Sequence, residues 1–260
     1  MKRRTVLKTG ALLLSGCAGY APNAEKTAST QGAAVDFQLP ISDLSQLSLR
    51  DRLQAQGFAL GAKTFLRIFK EERVLEAWLL RADGRYHLYR KFPICTYSGD
   101  LGPKLREGDK QSPEGFYAVS ARQMNPNSKY HLSFNLGFPN AYDREHGYTG
   151  SYLMVHGECV SIGCYAMDNQ QIEVIYALVS AAHQRGQYAV PVHIFPFHLT
   201  QQNLMRYAHH RWLPFWQMLQ PAYDYFEREH IPPQINVLAG RYQIAPHSEL
   251  ITGRMLADNN

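Results

Sequence analysis

The chain has 260 residues, 27 Lys and Arg against 22 Asp and Glu, four cysteines and a formal charge of +5. Four of the basic residues, Lys2, Arg3, Arg4 and Lys8, crowd the first eight positions, and without them the excess falls from five to one. No basic patch interleaved with aromatic residues remains, which argues against nucleic acid as a partner, and about 200 residues beyond the N-terminal region suffice for one domain with a full core.

Residues 1–16 read as an export signal: a basic start, a short apolar run Ala11-Leu12-Leu13-Leu14, then small residues. The run is too short to span a bilayer. Leu14-Ser15-Gly16-Cys17 resembles a bacterial lipobox, which makes Cys17 the candidate lipidation site. The Arg3-Arg4 pair fits either a twin-arginine signal or a Sec signal with a basic start. The expectation is an exported lipoprotein on the periplasmic face of a membrane, and Ala18 after Cys17 favours the outer membrane over the inner. Residues 17–40, small and polar, read as a flexible tether of roughly 25 Å root-mean-square span. Residues 41–60 predict one amphipathic helix with Leu44, Leu47, Leu53 and Phe58 inward.

From Thr64 the pattern becomes strand-like. Phe65–Phe69, Val74–Leu79, Tyr86–Arg90, Ile94–Tyr97, Gly115–Val119 and Tyr130–Phe134 are the predicted strands. Between the fourth and fifth lies a long Gly- and Pro-rich loop, Ser98 to Glu114; a loop of that length in a domain usually carries function. Tyr152-Leu153-Met154-Val155 predicts a buried strand. Asp168 to Arg185 predicts a helix, with Asp168 and Gln171 as a capping box, Ile172, Ile175, Tyr176 and Val179 as its core face and Gly186 as its stop. Val190, Val192 and Ile194 alternate as a closing strand. Residues 197–260 predict a helical extension in which Trp212, Phe215, Trp216, Tyr223 and Phe226 serve packing.

The stretch His156-Gly157-Glu158-Cys159-Val160-Ser161-Ile162-Gly163-Cys164 carries the chemistry. A thiol between a strand and a helix can be turned into a thiolate by an imidazolium and by helix N-terminal amides, and a nearby His can carry its proton. Cys164 is therefore the candidate nucleophile and His156 the candidate base. Cys95 and Cys159 are left over, either paired in an oxidising compartment or present as buried free thiols. Zinc held by His156, Cys159 and Cys164 with His131 or His146 is a weaker alternative, because the spacing lacks the second half of a zinc site. No cofactor and no metal is expected.

Ile94-Cys95-Thr96-Tyr97-Ser98-Gly99 with Ser112-Pro113-Glu114-Gly115-Phe116-Tyr117, then His156-Gly157, then Ser161-Ile162-Gly163-Cys164, together resemble the YkuD-type L,D-transpeptidase family over about residues 64–196. The resemblance implies an α+β, mainly-β catalytic fold with a helix after the nucleophile. It assigns Cys164 as the nucleophile, His156 as the proton donor and acceptor, and Ser161 and Gly163 as residues shaping the site and its oxyanion pocket. The implied substrate is a peptidoglycan stem peptide, cut through a Cys thioester.

In typical members the His-Gly pair stands further ahead of the Ser-x-Gly-Cys element and an Arg follows the Cys by two residues. Here four residues separate His156 from Ser161, and Ala166 occupies the Arg position. This compact form, with Gly102–Asp109 and Asn135–Arg144, resembles the YafK-like branch, which includes an amidase that frees a covalently attached lipoprotein from the wall. Lys104, Arg106, Tyr142 and Arg144 are the candidate substrate-binding residues. Three readings follow: hydrolysis of diaminopimelate-linked amide bonds, crosslink or lipoprotein-attachment formation by transpeptidation, or a non-catalytic wall-binding lipoprotein.

Overall fold

The computed structural model describes residues 47–246. The expectations for residues 1–16 and 17–40, for Cys17, for Leu44 and for the end of the 197–260 extension lie outside these residues. Among the described residues no helix is long and apolar enough to cross a membrane.

The N-terminal helix is shorter than expected. α1 spans Leu49–Ala55, capped by Ser48, whose hydroxyl accepts from Asp51 N. Gly57 then takes φ +73°, a left-handed conformation suited to glycine, and ends the helix. Phe58 N bonds back to Leu53 O at 2.8 Å, so Leu53 and Phe58 are both buried although only Leu53 is helical, whereas Leu47, also expected inward, lies before the helix and is half-buried.

Two sheets follow. The first runs β3–β2–β1–β9–β4, with β1 Thr64–Phe69, β2 Val74–Leu80, β3 Tyr86–Pro93, β4 Gly115–Ser120 and β9 Ala189–Phe195. β1 and β9 are parallel at its centre and the other pairs are antiparallel. The second runs β5–β6–β7–β8, with β5 Met124–Ser128, β6 His131–Asn135, β7 Met154–His156 and β8 Tyr165–Ala166. β7 and β8 are parallel.

α3, Asn169–Gln184, lies between the sheets. Asp168 caps it by accepting from Gln171 N at 2.8 Å. Gln171 Oε1 finds no partner among the described residues, so only one half of the predicted capping box forms. Ile172, Ile175, Leu178, Val179 and Ala182 meet Leu66, Ile68, Val192 and Ile194 of the first sheet and Phe134, Val155 and Tyr165 of the second. Leu178 joins this face, and the predicted Tyr176 packs half-buried against it. Each such buried side chain contributes roughly 1.5–3 kcal/mol.

The opposite face of the first sheet carries Phe69, Phe116 and Phe195, covered by Trp216, Leu219 and Tyr223 of α5, Leu213–Glu229; α4, Gln201–Arg206, precedes it. The expected closing strand is therefore internal. β9 sits between β1 and β4, and its alternate residues His193 and Phe195 are buried too. Arg67 is accommodated in the fully buried β1 because two of its nitrogens bond Glu76 Oε2, at 3.0 and 2.7 Å, and a third reaches Glu227.

Four further differences have physical causes. Ile94–Tyr97 is not a strand; after the edge residue Pro93 it makes one bridge, Thr96 to Ala166. Tyr152 is exposed with φ +54°, so the strand predicted from Tyr152 begins at Met154. β5, Met-Asn-Pro-Asn-Ser, is polar and contains Pro126, which an edge position tolerates. The C-terminal extension also contains a hairpin, β10 Gln234–Leu238 and β11 Arg241–Ala245, turned by Ala239 and Gly240, both with positive φ.

Candidate active site

The residues predicted to do chemistry lie on the second sheet and the loops at its edge. The β7–β8 register sets Val155 opposite Tyr165 and His156 opposite Ala166. Cys164 therefore stands level with Met154, two residues from His156 along β7. Met154 N donates to Cys164 Sγ at 3.4 Å, and the thiol lies 3.6 Å from Tyr152 O. No hydrogen bond joins the imidazole to the sulfur among the described residues.

His156 is buried, and its Nδ1 is 2.5 Å from Gly157 O. A carbonyl only accepts, so Nδ1 carries the proton and Nε2 keeps a lone pair. Burial holds the ring's pKa below the ordinary value, against weaker upward pulls from the Gly157 carbonyl and Glu158. The phenol ring of Tyr130, half exposed, lies 4.8 Å from the imidazole at a 36° tilt. Sequence reasoning missed Tyr130, which it read only as a strand residue.

The thiol does not behave as the sequence suggested. Burial pushes the Cys164 pKa up, and the Met154 amide and the Lys104 ammonium lower it by less. Two sources of thiolate stabilisation are missing. α3 starts only at Asn169, beyond β8, so Cys164 is not part of its first turn. His156 is neutral at rest, so no imidazolium is present. Attack by the sulfur therefore requires a base that removes its proton.

The peptide of Cys164 is clamped by three hydroxyls. Ser161 Oγ donates to Cys164 O at 2.7 Å and Ser112 Oγ does so at 3.2 Å. Ser98 Oγ accepts from Gly163 N, and Ser98 and Ser112 bond each other. That Gly163 amide is thus committed within the loop and is not free as an oxyanion donor. Gly163 has φ +114°, and a Cβ there would stand 3.3 Å from Leu153 Cδ1. Cys95 and Cys159 form a disulfide with Cα atoms 5.4 Å apart, pinning the loop between His156 and Cys164 to the segment before Ser98.

The Ser98–Glu114 loop is itself held from below by Lys70. This buried ammonium donates to the carbonyls of Asp100, Gly102 and Ser112 and lies 3.1 Å from Glu114 Oε1. Glu114 also accepts from Gly102 N and Trp216 Nε1. Lys70 directly follows the predicted strand Phe65–Phe69, and nothing local in the sequence marks its role.

The four predicted substrate-binding residues divide. Lys104 is buried close enough for its charge to act on Cys164, but its ammonium is occupied by Asp109 and Arg106 O. Arg106 is exposed on the same loop, beside a cavity of about 510 Å³ that includes Trp212. Tyr142 and Arg144 are not brought to the thiol. α2, Ala141–Glu145, turns Tyr142 inward to stack on Tyr242 at 4.5 Å, and Arg144 lines a separate cavity that Cys164 and His156 do not touch. The zinc alternative loses a ligand because the Cys159 sulfur is in the disulfide, and no group of three or more metal-binding side chains occurs among the described residues.

Comparison with known proteins assigns the class. The YkuD family model, an L,D-transpeptidase catalytic domain, matches residues 66–194, from within β1 to within β9. The chain belongs to this family, and it is an enzyme that acts on peptidoglycan. More particularly it is YafK-like. It is 48% identical over 201 residues to YafK of Escherichia coli (strain K12), a protein named as an L,D-transpeptidase, covering 77% of this chain and 81% of that protein. The same figures hold for YafK of Escherichia coli O157:H7. Among solved structures, the helical cell shape determining protein Pgp2 of Campylobacter jejuni aligns with a TM-score of 0.42 at 17% identity, over 73% of this chain and 80% of that one. L,D-transpeptidase 1 of Mycobacterium tuberculosis aligns with a TM-score of 0.30 at 12% identity, over 53% of this chain and 64% of that one.

Proposed function

We propose that the protein is a cysteine hydrolase that cleaves diaminopimelate-linked amide bonds in peptidoglycan and so releases covalently attached lipoprotein. The observation that carries this reading is a free thiol on the strand edge beside a buried, neutral, tautomer-fixed imidazole. As Sγ attacks the carbonyl carbon, His156 Nε2 takes the thiol proton, directly or through one water. The tetrahedral intermediate collapses, and the leaving amine receives that proton from His156. A Cys164 thioester remains. Water then attacks it with His156 again as base; the carboxylic acid leaves and Sγ regains its proton.

Hydrolysis is favoured over crosslinking by what stands at position 166. Ala166 is fully buried and its main chain pairs with Thr96, so the site has no cation there to hold the carboxylate of a second stem. The relatives' naming as L,D-transpeptidases favours the second reading, in which an amine resolves the same thioester. The N-terminal sequence supports lipidation at Cys17, export and work at the periplasmic face of the outer membrane, within reach of lipoprotein and wall.

Digestion of isolated sacculi with wild type and with Cys164→Ala tests the proposal. Freed lipoprotein and stem fragments with wild type alone support hydrolysis. New crosslinks joining two diaminopimelate residues, with nothing freed, establish the transpeptidase instead.

A further inference from the structure

A cavity of about 870 Å³ opens on the α5 side of the first sheet, between β4, the end of α2 and the Ile231–Val237 segment. It shares no lining residue with the Cys164 loop. Most of its wall is apolar or aromatic, including Phe116, Tyr188 and Tyr242, and its size is that of pockets that hold small organic molecules. Its lining contains two permanent cations, Lys63 and Arg144, and no Asp or Glu.

The polar groups of the lining differ in what they have left to offer. Gln187 is used up by the Thr64 and Ala189 main chain, and Asn140 by Phe116 O, Tyr242 Oη and Asp143 N. The same Asn140 amide, with Gln123 Nε2 on Ala118 O, occupies the Phe116 and Ala118 carbonyls of edge strand β4, which disfavours an added strand there. The Lys63 ammonium has no carboxylate partner among the described residues, and Arg144 donates one nitrogen to Pro139 O and keeps the rest of its fork. His193, only 2% exposed, lines the cavity from β9, and its Nδ1 has no hydrogen-bond partner among the described residues. A buried unpaired nitrogen is costly unless something arrives to bond it.

We propose that this cavity is a second, non-catalytic binding site for a small organic anion: an apolar body against the aromatic wall, its anionic group met by Lys63 and Arg144, and one polar atom bonded by His193. Two lining cations with no lining Asp or Glu disfavour a cationic ligand, and the Asn140 and Gln123 bonds on β4 disfavour a peptide strand. The site does not depend on which reaction Cys164 carries out.

The test uses the full chain and two probes of nearly equal body, 1-anilinonaphthalene-8-sulfonate and uncharged N-phenyl-1-naphthylamine, followed by fluorescence titration. The expected result is saturable binding of one equivalent of the sulfonate. Lys63→Gln with Arg144→Gln should weaken it about tenfold or more, a loss near 1.4 kcal/mol, while leaving the neutral probe within about threefold. Ala118→Trp, placed on the exposed wall of β4, should exclude both probes, and Cys164→Ala should change neither. Absence of saturable binding, equal affinity for both probes in wild type, or sulfonate affinity unmoved by the charge variant overturns the proposal. If the Trp variant unfolds at a lower temperature than wild type, the charge variant alone decides.

Discussion

Burial sets both members of the candidate pair to their uncharged forms: it pushes the Cys164 thiol up and the His156 imidazole down. A thiol and a neutral base at rest make proton transfer part of the attack rather than a step completed before substrate arrives. Tyr130 contributes to the imidazole's dryness by covering it. Tyr130→Ala admits water to the ring, so the His156 pKa should rise toward its ordinary value. Because the proposed mechanism uses His156 in its neutral form, the acid limb of the kcat/KM profile should move to higher pH and activity at mildly acid pH should drop. Tyr130→Phe keeps the ring and should keep the profile; an unmoved limb in Tyr130→Ala would show that the ring does not shield the base. His156 and Cys164 were legible as candidates because one short loop carries both. Tyr130, Ser98 and Ser112 were not legible in these roles, because their contacts cross 26, 65 and 52 positions of chain and leave no local pattern. The expected place of Cys164 at the helix start was misread for a related reason: β8 lies between Cys164 and α3 in the chain.

At the level of elements, the loop from Gly157 to Gly163 is short of regular structure and takes its shape from anchors. One is the hydroxyl clamp, another the Cys95–Cys159 bond, which closes a separation of 64 residues. Replacing both cysteines by Ser should lower stability by about 2–4 kcal/mol, read as the shift in urea midpoint multiplied by the m-value. It should also slow turnover, since the clamp alone then holds the Cys164 peptide. Unchanged stability and turnover would mean the loop keeps its shape without the bond. Strongly periodic elements were readable: α3 follows the spacing of Ile172, Ile175 and Val179, and β1, β2 and β4 fall within a residue or two of their apolar runs. Elements whose residues contradict their state were not. β5 survives with Asn and Pro because it is an edge, and α1 stops early because Gly57 turns left-handed. The hairpin did carry a signal, Ala239-Gly240 between the alternating pairs Ile235, Val237 and Tyr242, Ile244, but a neighbouring aromatic helix obscured it.

Across the whole molecule, two buried titratable groups pull stability in opposite directions with pH. His193 is held to about 3 by burial and by Arg67, while an unfolded His titrates near 6.5. The unfolded chain therefore takes up the extra proton between those values, and stability falls as pH drops through that window. The loss from this residue is roughly 2 kcal/mol at pH 5. Asp143, raised to about 6 mainly by burial, binds its proton earlier in the folded state and offsets part of the loss. Chemical unfolding of wild type and His193→Phe at pH 7 and pH 5 isolates the His193 part. The variant should lose less stability on acidification than wild type, and parallel losses would contradict the buried neutral assignment. The proposed mechanism runs through a Cys164 thioester, and such an intermediate leaves a mass. Intact-protein mass spectrometry of wild type, acid-quenched during turnover of purified stem-peptide substrate, should show one acyl adduct that maps to Cys164, is removed by hydroxylamine and is absent from Cys164→Ala. Continued turnover by Cys164→Ala, or an adduct mapping to another residue, would contradict the assignment of Cys164 as the nucleophile.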